Sequence, residues 1–150
     1  REVVIFGPYE DGAMVYSGDG LTLLAEVRGP VYSTMSSIYL HFWGVSAAYT
    51  EVGGTGVIAI GAPGGYLPGE GDTYPGYVIF YTVDDFMSSE DPNYVSIVFG
   101  NGDAEQLGNS LAARSETATN YEDAIFTAGA NWASYSVTFS LQQVVDLASD

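Results

Sequence analysis

The sequence predicts an all-β protein, an antiparallel β-sandwich of jelly-roll or Ig-like type with about nine short strands and one short helix. Three observations carry that expectation. Apolar and polar residues alternate with period two in several segments, the pattern of a strand with one buried and one wet face. Those segments are rich in β-branched and aromatic residues and are bounded by Gly, Pro, Asp or Asn, in a chain with 19 glycines and six prolines. Finally, 150 residues is the usual size of one domain around one core, so 1–150 is read as a single sandwich domain.

At the N-terminus, residues 2–6 are an apolar strand, set apart from the body of the chain by Gly7-Pro8. Residues 1–7 are therefore a candidate for exchange between copies as well as for pairing within their own sheet. Turns at Glu10-Asp11-Gly12 and Gly18-Asp19-Gly20 frame a strand over 14–17. Over 21–28, Leu21, Leu23, Ala25 and Val27 share one face, while Thr22, Leu24, Glu26 and Arg28 share the other. Further strands are read at 36–43, 56–60, 77–83, 94–99 and 124–127. The cleanest alternation is in 132–141, where Ala133, Tyr135, Val137, Phe139 and Leu141 alternate with Ser134, Ser136, Thr138 and Ser140.

One segment reads as helix. Asp103 is placed to cap a turn starting at Ala104, Gln106 completes a capping box, and Leu107 and Leu111 share a helical face. Residues 61–76, rich in Gly, Pro and Tyr, have no periodicity and read as a long loop, which either folds back over its own sandwich or docks on another surface.

Charge narrows the function classes. Nineteen acidic residues face three arginines (Arg1, Arg28 and Arg114), and lysine is absent, for a net charge of −16. Such a surface repels phosphate backbones and anionic lipid, so nucleic-acid binding is not expected. No apolar stretch approaches the ~20 residues of a spanning helix, so membrane insertion is not expected either. The chain begins with Arg1 instead of methionine, and this together with its composition leads to the expectation of an exported, extracellular or cell-surface protein.

The chemistry-bearing residue types are few. Cysteine is absent, which removes disulfides, thiolate zinc sites and cysteine nucleophiles. His41 is the only histidine and no Gly-x-Ser-x-Gly elbow accompanies it, so a serine triad is not expected. Residues 61–76 lack the lysine of a phosphate-binding loop. A pair of carboxylates for glycoside hydrolysis needs only two acids at the right separation, and 19 acids do not discriminate. The chain is not read as an enzyme.

Calcium is the expected ligand, because glycine-rich turns bring carboxylates and backbone carbonyls together. The candidates are Glu10, Asp11 and Asp19 in the first two turns, Glu70 and Asp72 in the long loop, Asp84 and Asp85, Glu90 and Asp91, and Asn101, Asp103 and Glu105. The last group has the alternating start of an EF-hand loop, but Gln106 and Ala112 occupy its sixth and twelfth positions.

The expected function is an exported structural subunit that self-assembles into an extracellular filament, tube or surface layer. Its partners would be copies of itself, as homo-oligomer or polymer, joined by β-strand exchange and bridged by divalent cations, with calcium as the cofactor. The alternative is a calcium-stabilised carbohydrate-binding β-sandwich module, with Trp43, Trp132 and exposed tyrosines as its stacking platform.

Overall fold

The computed structural model describes residues 3–7, 12–20, 22–29, 43–64, 75–101, 106–130 and 136–149. Hairpins between alternating segments build three open sheets. The first is β1 (Val3–Gly7), β2 (Gly12–Tyr16) and β3 (Leu23–Arg28). The second holds β4 (Ser46–Val52), β5 (Thr55–Ala62), β6 (Tyr77–Thr82) and β7 (Ser96–Phe99), with the two-residue β9 (Thr117–Ala118) parallel to β4 at its edge, in the order β7-β6-β5-β4-β9. The third orders β11 (Ser136–Ser140), β10 (Ile125–Ala130) and β8 (Leu107–Ala113). Helix α1 (Val83–Ser88) follows β6 directly, and α2 (Leu141–Ser149) follows β11. The protein is an all-β sandwich. No helix among the described residues is long and apolar enough to cross a membrane.

The five-stranded sheet lies between the other two, as its two hydrophobic cores show. On one face Val57, Ala59, Val78 and Phe80 pack against Leu107, Phe126, Ala128 and Phe139 of the third sheet, and against Leu141 and Val144 of α2. Phe80 meets Phe126 and Phe139 edge-on at 5.3 and 5.7 Å, the geometry aromatic quadrupoles favour. On the other face Ile58, Ile60, Ala62, Tyr77, Ile79 and Tyr81 pack against Ala13, Val15 and Val27 of the first sheet, with Trp43 and Phe86. Strands β5 and β6 therefore bury successive residues on both sides, and a continuous apolar run such as Tyr77–Thr82 is what two-sided burial demands.

The middle sheet is covered unequally. Strand β4 buries Thr50 and Val52 toward the third sheet, whereas Ala47, Tyr49 and Glu51 on its other face are exposed. Among the described residues the first sheet thus stops short of β4, leaving a step at its border. Strand β2 shares in the core through Ala13 and Val15, and a bulge between Val15 and Tyr16 leaves Leu23 and Leu24 both exposed. The alternation expected over 21–28 holds at Ala25 and Val27, and that expected over 132–141 holds for Val137 and Phe139.

The helix expected over 104–111 is a correction. Residues 107–113 are strand β8, antiparallel to β10, and Asp103, Ala104 and Glu105 lie outside the described residues. Gly108 has φ +96° and Gln106 φ +57°, neither of which a right-handed helix accepts. Gly108 also lies where β8 crosses β5 and β6. A Cβ there would meet the Tyr77 carbonyl oxygen at 2.5 Å and the Gly61 Cα at 3.0 Å. Sheet packing overrides the helical spacing of Leu107 and Leu111.

The two helices present stand where strand ends are expected, at Val83 and at Leu141, and each carries a cap. The Thr82 hydroxyl accepts from Asp85 N at 3.1 Å, with Asp84 and Asp85 in the first turn, where the helix dipole favours them. At α2 the cap is reciprocal: Gln143 N donates to Ser140 Oγ (3.2 Å) while Ser140 N donates to Gln143 Oε1 (2.8 Å), a Ser-x-x-Gln capping box. Of the strand expected over 36–43, residues 36–42 lie outside the described residues and Trp43 stands in a turn; the centre of the long loop, 65–74, also lies outside them.

Candidate functional site

The step beside β4 is a groove of about 710 Å³. Its floor is apolar and buried, made by Val15 of β2, Ile58 of β5 and Phe86 of α1. Tyr49 and Ile58 are register partners, so their side chains share this face of the sheet. Gly56, opposite Glu51 in the register, leaves room for the Tyr49 ring. A Cβ at Gly56 would lie 3.1 Å from Tyr49 Oη and 2.9 Å from Val83 Cγ2. Held between this glycine and α1, Tyr49 remains 44% exposed. Helix α1 adds Val83, Asp84 and Met87.

The remaining wall comes from the arm that leads into β9. Glu51 N donates to Glu116 O at 2.9 Å, and Glu51 pairs with Thr117 in parallel register. Backbone bonds therefore place Glu51, Glu116 and Thr117 side by side, and they line the groove together with Asp84 of α1. All three carboxylates are exposed, and among the described residues none has an ion pair or a side-chain hydrogen bond. Among the described residues the one ion pair is elsewhere, between Arg28 and Glu90 at 3.2 Å, where Arg28 N also donates to Glu90 O. An apolar floor under an anionic rim is suited to hold a cation that carries apolar surface.

The expected calcium ligands are scattered. Glu10, Asp11, Glu70, Asp72, Asp103 and Glu105 lie outside the described residues. Asp19 sits in the turn after β2 and accepts from the Ser17 hydroxyl. Asp84 and Asp85 open α1, and as helical neighbours they project about 100° apart. Asn101 follows β7, Glu90 is paired with Arg28, and Asp91 N donates to the Ser89 hydroxyl. Among the described residues no three His, Cys, Asp or Glu side chains gather to hold a metal ion. Of the expected ligands only Asp84 lines the groove.

The stacking platform needs correction at Trp43. Its side chain is 0% exposed and stacks on Phe86 with centroids 6.4 Å apart, so it belongs to the core beneath the groove. Trp132 and His41 lie outside the described residues. Tyr49 and Glu51 escape a reading of the sequence as site residues because 46–52 carries no clear strand pattern, and Glu116 because the two-residue β9 that follows it is too short to show one. The available signal is Tyr49-x-Glu51, two residues that share a face once the segment is extended. No family model matches the chain, and no curated protein matches it.

Proposed function

We propose that the protein is an exported structural subunit that self-assembles into an extracellular filament, tube or surface layer, its copies joined by strand pairing and bridged by divalent cations. The observation that carries this reading is β1. It is the outer strand of its sheet, antiparallel to β2 and paired with no other described strand. Its sequence, Val3-Val4-Ile5-Phe6-Gly7, has none of the charges or prolines that natural edges use against intermolecular pairing. An unguarded edge favours a second strand along it, by addition to the hairpin or by exchange of β1 itself.

Charge sets the condition for that contact. Paired strands lie ~4.8 Å apart, inside the ~8 Å screening length of physiological salt. Bulk salt therefore screens only part of the repulsion between two chains of charge −16. With no lysine and three arginines, salt bridges between copies can offset little of it. Cations held by acidic turns are the remaining counterweight, and calcium suits oxygen ligands of that kind.

The test is light scattering on chelated protein in low salt, titrated with calcium and separately with sodium chloride at matched ionic strength. Growth with calcium alone supports cation-bridged assembly. Growth with both salts removes the specific calcium role, and a monomer throughout overturns the proposal.

A further inference from the structure

We propose that the groove beside β4 is a docking site for a cationic amphipathic peptide segment of another protein. Lys or Arg side chains would meet Glu51, Asp84 and Glu116, and an apolar side chain would enter over Val15, Ile58 and Phe86. The inference is independent of self-assembly at β1.

Charge complementarity selects this occupant. The three rim carboxylates are exposed and have no partner among the described residues. Two of them belong to residues joined through the backbone, Glu51 N donating to Glu116 O at 2.9 Å. A second copy is poorly matched as the occupant. The chain has no lysine, and with Arg28 engaged by Glu90 two of its three arginines remain against the other 18 of its 19 acids. A bare metal ion is also poorly matched, since these carboxylates form no metal-holding group and the floor beneath them is apolar.

An amphipathic cation satisfies both surfaces at once. Its apolar side chain gains by leaving water over the buried floor, and its charge stays at the wet rim. The half-exposed Tyr49 ring adds an aromatic surface for a guanidinium or ammonium group. A volume of about 710 Å³ falls within the ~300–1,000 Å³ usual for binding pockets.

The probe is a fluorescein-labelled Lys-Leu-Lys-Leu-Lys peptide, followed by fluorescence anisotropy on the full chain at about 0.15 M salt, where attraction between exposed charges more than ~8 Å apart is largely screened. Saturable binding is expected. The triple change Glu51→Gln, Asp84→Asn and Glu116→Gln should weaken it by about tenfold or more. An equal change of net charge outside the groove, Glu122→Gln with Asp123→Asn and Asp146→Asn, should leave it within about twofold. Thr117→Lys supplies the rim with a cation of its own and should block the probe, a second variant in case the triple one fails to fold. Equal weakening by both triple variants overturns the proposal, because attraction would then belong to the whole acidic surface. Equal affinity for a Lys-Ser-Lys-Ser-Lys probe, or no saturable binding, overturns it as well.

Discussion

Gly61→Ala isolates how tightly the third sheet is set on the middle one. A Cβ at Gly61 would lie 2.0 Å from the Gly108 carbonyl oxygen, 2.3 Å from Ser46 Oγ and 2.9 Å from the Gly108 carbonyl carbon. Carbon–oxygen contacts need well over 3 Å, so β5 and β8 must separate by more than about 1 Å. The obstacle is backbone, which has no rotamer to change. Separation also stretches the bond that Ser46 Oγ donates to Gly108 O, 2.7 Å in the native structure. Losing that bond costs about 1 kcal/mol, and overpacking a close-packed interface adds about 1–3 kcal/mol. A total of about 2–4 kcal/mol is a large part of the ~5–15 kcal/mol that holds a typical domain together.

Urea unfolding followed by circular dichroism reads this cost, with Gly20→Ala as the control. Gly20 has φ +75° and open space around it, so alanine there meets only the backbone penalty of about 1 kcal/mol. Gly61 has an ordinary φ and meets only the steric one. Gly108, with φ +96° and the Tyr77 carbonyl in the way, meets both. The expected order of destabilisation is Gly108→Ala, then Gly61→Ala, then Gly20→Ala. A Gly61→Ala protein within about 0.5 kcal/mol of wild type, or less affected than Gly20→Ala, would refute the close approach of β5 and β8.

Two further changes test individual side chains. Thr50 is 1% exposed and its hydroxyl has no hydrogen-bond partner; Thr50→Val, nearly the same shape without the orphaned hydroxyl, should raise stability by about 1 kcal/mol in the same urea assay, and a loss would show that the hydroxyl is satisfied. Ser140→Ala removes one half of the α2 capping box and should cost about 1 kcal/mol, with hydrogen exchange accelerated first in the opening turn of α2; unchanged exchange there would remove the cap from the account.

Most of the fold is legible in the sequence wherever one rule governs a segment. Alternation finds β3 and β11, framing turns find β2, and continuous apolar runs find β5 and β6. The two helices are legible in principle, since Thr82-x-x-Asp85 and Ser140-x-x-Gln143 are capping sequences. Each continues its strand without a turn, however, so the strand pattern reads straight through the cap. Strand β8 is lost to the opposite error. Leu107 and Leu111 sit at helical spacing, and only the contact of Gly108 with Tyr77 and Gly61, remote in sequence, decides between helix and strand.

Strand β4 is illegible for a reason tied to the groove. Its buried face holds Thr50, a polar residue, while its exposed face holds Tyr49, so the usual assignment of apolar inside and polar outside runs backwards. That inversion comes from coverage. The first sheet ends before β4, and the residues it leaves uncovered must tolerate water while Ala47, Tyr49 and Glu51 keep strand geometry. Departures from local consistency tend to collect where a protein does something other than fold. Here three departures fall on three consecutive residues: an exposed aromatic at Tyr49, an unpartnered buried hydroxyl at Thr50 and an unpaired carboxylate at Glu51. Two of the three face the groove. Among the described residues the first sheet leaves this face of β4 uncovered, and that opening is the one the proposed docking segment would use.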